Sequence, residues 1–440
     1  MIRSLVASWP LFFGLLMIMT GNGLLLLLLG VRATNEGFSA LMSGIMMGGY
    51  FLGFFGGSTI VPNLLLSVGH IRTFGALSAI ASAAVLLHLL YTDPLLWTVL
   101  RVFTGFSYAG MYIVVESWLN EKSTNETRGQ MLAIYMIITM GGMGAGQMLG
   151  GTDDGQSVLL FLIASVLVSL AVVPILLTAA KAPEFSTPDP VPIRRLYSIS
   201  PLALVGMFLQ GITASMTFGV GAVYATAIGM NSYQASLFMA SVTVGNMIMQ
   251  YPVGRLSDYL DRRFVILLVA VIAGAAAAGA SLFSVDQFWM LLLLTALYGG
   301  FSLTIYSLCI AHANDYLTPS QMVSTASTLI TINGVGAIIG SPVVGALMGI
   351  FSPIAFFLAI AAVHLGLAGF VLVRMFARPA VPAEAQGPFI AVPEVGTVVA
   401  AQLNPETAWT ETDEDELAAT NPLADNPYLE LPPSTTSSSQ

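Results

Sequence analysis

The 440-residue sequence predicts an all-α membrane protein of about twelve transmembrane helices in two six-helix pseudo-repeats. Three observations carry that reading. Hydrophobic residues make up 56% of the chain and charged residues 8%, whereas a soluble domain carries roughly 25% charged residues. The apolar residues come in blocks of about 20–25, the length a helix needs to cross a ~30 Å hydrocarbon core, and the charges lie between the blocks. Runs such as Leu24–Leu29 lack the apolar–polar alternation of barrel strands. Backbone groups in lipid must pair within their own segment, so the blocks are helices.

Taken in order, the spans lie near 9–30, 38–62, 74–91, 95–119, 129–151, 157–180, 201–228, 233–254, 264–284, 287–313, 321–349 and 353–377. The first is long enough to span, and no small-x-small cleavage site follows it closely, so it is expected to be a helix and not a removed signal. The N-terminus, the even-numbered loops and the C-terminus hold Arg3, Arg72, Lys122, Arg128, Lys181, Arg194, Arg195, Arg255, Arg262, Arg263, Arg374 and Arg378; the odd-numbered loops hold only Arg32. That bias predicts both termini in the cytoplasm. The Pro-rich, charged segment 181–200 separates six spans from six. The expected units are a six-helix bundle over 1–180, an interdomain linker over 181–200, a second bundle over 201–377 and a tail over 378–440. A shift of 192 residues carries the loop after span 2 onto the loop after span 8, and Gly142 and Gly144 onto Gly334 and Gly336. Such parallel repeats are a habit of secondary transporters.

The net charge of -9 belongs to the tail, where ten acids face one base; the body is neutral. With many Pro, Thr and Ser and the run Asp413–Glu416, the tail is expected to stay disordered and cytoplasmic. Basic residues cluster no further than pairs such as Arg194–Arg195, which argues against nucleic acid. The lone Cys309 excludes an intramolecular disulfide. Four scattered histidines and no H-E-x-x-H argue against zinc chemistry, and no Walker loop is present. Gly105-Phe-Ser-Tyr-Ala-Gly110 is no nucleophile elbow. The expectation is therefore a protein without cofactor or metal that is not an enzyme. A channel would need a repeated filter or a charge ring, and neither is visible.

Span 4 places Arg101, Thr104, Gly105, Tyr108, Tyr112 and Glu116 within about a 120° arc, with Val102, Phe103, Phe106 and Val114 opposite. An arginine inside a span costs at least ~2.5 kcal/mol on insertion scales and usually faces a cavity; the alternative is that Arg101 snorkels to the interface. Glu116 lies one turn from the end of the span and Arg128 opens the next, so an ion pair between them is the expected gate element. Span 7 shows a stripe of Gln210, Thr213, Thr217, Gly221 and Tyr224, and span 8 one of Ser236, Thr243, Asn246 and Gln250; Asn22 and Asn333 sit inside spans 1 and 11. Any one amide is as well explained by an interhelical hydrogen bond. Glycines recur every four residues in spans 2, 5 and 11, which suits close helix packing. His312, beside Asn314 and Asp315, is a weaker candidate for a pH sensor.

Between spans 8 and 9 stands Gly254-Arg-Leu-Ser-Asp-Tyr-Leu-Asp-Arg-Arg263. It resembles the signature loop of the major facilitator superfamily at Gly254, Leu256, Asp258, Arg262 and Arg263. The counterpart at 62–72 is degraded, with Leu66 where the acid belongs. Arg101-x3-Gly105-x4-Gly110 resembles the superfamily's fourth-helix motif. Glu116-Ser-Trp-Leu-Asn120, Arg128-Gly129 and Ala311-His-Ala-Asn-Asp315 look like the YcaD-like branch of bacterial permeases. The resemblance covers roughly residues 5–377. It implies a secondary transporter of the bacterial inner membrane that moves a small solute by alternating access, with spans 1, 4, 7 and 10 around a midplane site; a monomer is the default expectation. It implies proton coupling through Arg101 and Glu116 and a gate latched by Asp258 with Arg262 and Arg263; the polar residues read from the spans, Asn22, Tyr108, Tyr112, Gln210, Thr217, Asn246, Gln250 and Asn333, are then expected to line the path. A mostly neutral cavity favours export of a drug or amphipathic metabolite over import. A uniporter or a non-transporting receptor is the alternative.

Overall fold

Twelve long helices build the computed structural model, which describes residues 8–124, 127–153, 158–176, 191–377, 379, 381–382, 386–394 and 396–405. They are α1 (Trp9–Asn35), α2 (Ala40–Val68), α3 (His70–Leu87), α4 (Pro94–Glu121), α5 (Arg128–Gly150) and α6 (Val158–Leu176). The second set is α7 (Pro201–Ala227), α8 (Ser232–Tyr259), α9 (Arg262–Ala280), α10 (Val285–Asn314), α11 (Pro319–Ile350) and α12 (Ala355–Ala377). Eleven are long and apolar enough to cross a bilayer; α8 has the length, 28 residues, with more polar side chains. No strand occurs among the described residues. The chain is a multi-span helical membrane protein.

Local chemistry sets the helix starts. Ser39 accepts from the amide of Met42 and Asp93 from that of Leu96, each satisfying an orphan donor of a first turn. Asn231 and Gln234 form a reciprocal capping box at α8. Proline occupies the first turn of α1, α4, α7 and α11, where its missing N–H costs nothing. Gly69, retained in the degraded loop after span 2, has a φ of 91°, a backbone that side-chain-bearing residues rarely adopt. Two spans are interrupted. A π-turn over Met216–Val220 breaks α7, and α10 breaks at Leu303.

The two halves repeat the same contacts. In the first, α1 packs on α5 and α6, α2 on α4, and α3 on α4 and α6; in the second, α7 packs on α11 and α12, α8 on α10, and α9 on α10 and α12. Glycines make these approaches. A Cβ on Gly53 would come within 1.9 Å of the Val102 carbonyl, and one on Gly245 within 2.0 Å of the Ala296 carbonyl. These contacts refine the repeat. Gly142 lies against Leu16 as Gly336 lies against Phe208, and Gly146 against Thr20 as Gly340 against Ile212. The shift is 192 residues for the partners in α1 and α7, but 194 for the glycines of α5 and α11. Gly142 therefore corresponds to Gly336 and not to Gly334; a span two residues out of register with its partner hides this from a single-offset comparison.

Between the halves, α2 meets α11, α5 meets α8, and α1 meets the end of α7. Several of the tightest approaches lie towards one face of the molecule. A Cβ on Gly44 would meet Ser341 O at 2.4 Å, one on Gly345 would meet Ala40 O at 2.4 Å, and one on Gly151 would meet the Ser236 side chain at 2.1 Å. On the opposite face, which carries the arginines of the even-numbered loops, the halves are parted and a later stretch of chain lies between them.

That stretch corrects the expectation of a disordered tail. Residues 386–394 and 396–405 are held in place and include two turns of tight helix, Val398–Leu403. Val392, Val399, Ala400 and Leu403 are buried against the helices. The segment has too few apolar groups to form a core of its own, but a preformed apolar cleft supplies the missing half. Residues 406–440, with the acidic run, and linker residues 181–190 lie outside the described residues. The rest of the linker forms the short helix Ile193–Ile199, anchored by buried Leu196 and by Thr328, whose hydroxyl donates to Val191 O at 2.8 Å.

Candidate functional site

The polar stripe of α4 turns inward along its whole length: Arg101, Thr104, Tyr108, Tyr112 and Glu116 are all buried. Arg101 does not snorkel. Its guanidinium lies 4.4 Å from the centre of the Tyr50 ring, and none of its nitrogens finds a hydrogen-bond partner among the described residues. Gly49, Gly53 and Gly105 allow this stacking, because they bring α2 and α4 backbone to backbone beside Tyr50. Asn22 of α1 completes the cluster, donating to the hydroxyls of Tyr50 at 3.1 Å and Tyr112 at 3.3 Å. Tyr108 sits between Tyr50 and Tyr112, and its hydroxyl has no hydrogen-bond partner among the described residues. A cation over an aromatic face gains about 2 kcal/mol or more when desolvated, which offsets part of the cost of burying it and leaves the guanidinium fork free for an anionic or strongly polar group.

One turn beyond Tyr112, Glu116 accepts from the Tyr135 hydroxyl at 2.5 Å, from the Thr397 amide at 3.1 and 3.2 Å, and from the Thr397 hydroxyl. The expected ion pair with Arg128 is absent: Arg128 opens α5, while these three donors take up the carboxylate. The reason is geometric, since Tyr135 is two turns inside α5 and faces α4, whereas Arg128 lies at its rim.

In the second half, Gln210 donates to the Glu394 carboxylate at 3.1 Å and Asn333 to Met207 O at 3.1 Å. Thr217 shares a 2.6 Å hydrogen bond with Tyr298 of α10, and Gln250 donates to Ser307 at 3.0 Å. Asn246 lies 3.7 Å from the Met140 sulfur across the α5–α8 seam. Thus Gln210, Thr217, Gln250 and Asn333 each hold a neighbour. The stripe of α7 does not persist. Tyr224 stacks on Phe356 at 4.7 Å, inside the second bundle, because the π-turn adds a residue and rotates the face beyond it. Burial and a 2.9 Å contact with Ser302 make His364 a packing residue. His312 is likewise buried, with its ring edge against Tyr316.

Two cavities remain around residues 386–405. One of about 590 Å³ lies between α5 and α8, lined by Met136, Met140, Asn246, Gln250, Asp258 and Phe389 among others. The other, of about 100 Å³, lies between α2, α7 and α11 and is lined by Tyr50, Phe54, Ala214, Asn333, Glu394 and Thr397 among others. Both are mainly apolar with few polar groups.

The loop after α8 is arranged differently from the expected latch. Asp258 accepts from the amide of Phe389 at 2.7 Å and pairs with neither arginine. Arg262 pairs instead with Asp315, donates to Ala311 O at 2.9 Å and to Gly387 O at 2.8 Å; Arg263 pairs with Asp261 at 2.9 Å. Asp258 sits on the last turn of α8, facing the cleft, while Arg262 points along α9 to the end of α10. Both Arg262 and Asp315 are about 1% exposed. Asp315→Ala, which strands a buried guanidinium, is expected to destabilise the protein by about 3–5 kcal/mol, read as a fall in the thermal transition in detergent.

Sequence reasoning missed Tyr50, Tyr135, Tyr298, Glu394 and Thr397. Tyr50 stands between Gly49 and Gly53, and that spacing reads as packing; the adjacent polar ring was the available signal. Tyr135 and Tyr298 are single aromatics in apolar spans. Glu394 and Thr397 fell in the segment expected to be disordered.

Comparison with known proteins agrees with this architecture. The family model of the Major Facilitator Superfamily matches residues 11–203 and again 203–412. The uncharacterised MFS-type transporter YcaD of Escherichia coli O6:K15:H31 (strain 536 / UPEC) is 24% identical over 355 residues, 78% of this chain and 91% of that protein. Among solved structures, a bacterial homologue of the human lysosomal transporter Spinster, in an inward-facing and occupied conformation, superposes with a TM-score of 0.70 at 15% identity. It covers 88% of this chain and 98% of that one. The nucleoside transporter NupG superposes with a TM-score of 0.67 at 14% identity, covering 84% of this chain and 99% of that one. With the model matched twice across nearly the whole body, and with the contacts of α1–α6 repeated in α7–α12, the chain belongs to the Major Facilitator Superfamily of membrane transporters.

Proposed function

We propose that this protein is a proton-coupled secondary transporter of the bacterial inner membrane that exports a small amphipathic solute, with both termini in the cytoplasm. The observation that carries the reading is the buried Arg101 guanidinium, stacked on Tyr50 with no hydrogen-bond partner among the described residues, at the head of a polar file that runs through Tyr108 and Tyr112 to Glu116. A membrane helix bears such a cation when a solute or a titrating group must meet it. Glu116 is the acid of that file and carries no ion pair among the described residues, so it is the group suited to take and give a proton. The apolar, methionine-lined cavity between α5 and α8 suits a solute with one polar end and an apolar body. Helix packing on one face and separation on the other fit one state of an alternating-access cycle, open on the basic face, which the arginine bias assigns to the cytoplasm.

The test is solute-triggered proton movement in inside-out vesicles, across a panel of drugs, sugars, amino acids and organic acids. A compound that collapses an imposed pH gradient with the wild type and not with Arg101→Ala identifies coupled antiport and its substrate class together. Solute flux that leaves the gradient intact would remove the proton and point to a uniporter. Saturable binding without flux would make the protein a receptor.

A further inference from the structure

The stretch between the two halves makes contacts of an unusual kind for a terminal tail. Gly387 is gripped at the mouth: its carbonyl accepts from Arg262 at 2.8 Å and its amide donates to Asp315 at 3.2 Å. Phe389 donates its amide to Asp258, and its ring presses on Gly254, where a Cβ would come within 2.3 Å. Deeper in, the Val392 amide donates to the Ser307 hydroxyl at 3.1 Å, and that hydroxyl donates back to Val392 O at 3.1 Å. Glu394 meets Gln210, and Thr397 meets Glu116. The chain then returns to the mouth along the other half, where Asn120 donates to Gln402 at 3.0 Å and Pro405 lies 3.9 Å from a Cβ built on Gly129. It enters against α8, α9 and α10 and leaves against α4 and α5, crossing the seam between the halves.

We propose that residues 386–394 and 396–405 are a tethered plug of the transport cavity, an autoinhibitory segment that competes with solute for Glu116 and Gln210 and wedges the halves apart on the basic face. The inference rests on the reading of this cavity as the transport path. Three features support it. The groups it covers, Gly254, Asp258, Arg262, Gln210 and Glu116, are those singled out in the sequence for path and gate. The helix-to-helix contacts that repeat in the two halves are made by α1–α12 among themselves, and the segment is packed on them as an addition. Halves that close over a midplane site must meet where Val392–Leu403 now lies, and this explains why Asp258 bonds a tail amide and not the opposite half. Burial pushes the Glu394 carboxyl from 4.5 up to about 8. Facing Gln210, Tyr298 and Tyr306, the seated carboxyl favours its protonated form, so insertion is coupled to proton uptake.

The test uses the full chain with its single cysteine replaced (Cys309→Ala) and a reporter thiol at Ala214→Cys, a position that lines the inner cavity beside Glu394 and Gly396 without hydrogen-bonding to either. In a second version Val392→Asp and Val399→Asp place charges at two buried tail positions and leave the spans untouched. Labelling by N-ethylmaleimide in membrane vesicles is expected to be at least tenfold faster in the second version. With a transported solute in hand, the initial rate of flux is expected to rise severalfold. Equal labelling rates in the two versions overturn the plug. Labelling needs no solute, so fast labelling without flux of any compound would sink the transport reading and leave only a segment that covers the cavity. Flux with equal labelling would do the reverse.

Discussion

Gly105→Leu is expected to leave almost no folded protein in the membrane. A Cβ at that position would come within 1.9 Å of the Tyr50 carbonyl oxygen, 2.8 Å of its carbon and 2.9 Å of the Phe54 nitrogen. All three are backbone atoms, so no rotamer change relieves the clash. The approach is reciprocal, since Gly53 faces the Val102 carbonyl with the same 1.9 Å clearance. Neither helix can retreat alone. Parting α2 from α4 would also pull Tyr50 from Arg101 and from Asn22, losing the cation–π stacking and a buried hydrogen bond together. Overpacking a well-filled site costs 1–3 kcal/mol when side chains can yield; with backbone on both sides the cost here is expected at or above about 3 kcal/mol. The measurement is the monodisperse yield of tagged full-length protein extracted from membranes. Gly56→Leu, in the same helix, is the control. Nothing lies within 4 Å of its Cβ, and it is expected to accumulate like the wild type.

Arg101→Ala is expected to behave in the opposite way, with normal accumulation and solute-driven proton movement at background. Removing a buried charge that lacks an acid partner relieves a desolvation cost, so folded yield should be equal or higher. The Asn22–Tyr50 and Asn22–Tyr112 hydrogen bonds survive it. What is lost is the one cation of the polar file. Arg101→Lys keeps the charge but loses the planar fork that lies on Tyr50, and is expected to retain only part of the rate. Vesicle flux normalised to inserted protein separates the cases, and wild-type flux in Arg101→Ala would take the residue out of the mechanism.

These two residues sit four apart in one motif and have different roles. Gly105 sets the distance between two helices, and Arg101 occupies the space which that distance creates. The motif was legible as a pattern, but the division of labour was not, because only the position of Tyr50 on the neighbouring helix distinguishes them.

The sequence by itself determined the helices, their number, the inward face of α4 and the presence of a repeat. Those are one-dimensional properties. Block length against a ~30 Å hydrocarbon core fixes a span, and a 100° turn per residue fixes which side chains share a side. Tertiary structure alone decided who meets whom. Glu116 found Tyr135 and Thr397 in place of Arg128, Asp258 found Phe389 in place of an arginine, and Gly142 proved equivalent to Gly336. Each depends on how deep one helix sits against another, a distance set by glycine-to-carbonyl contacts between residues far apart in the chain. The tail shows the same rule at its strongest. Val392–Leu403 has too little apolar surface to order itself, and its conformation exists only because helices from both half-molecules already form the cleft that receives it.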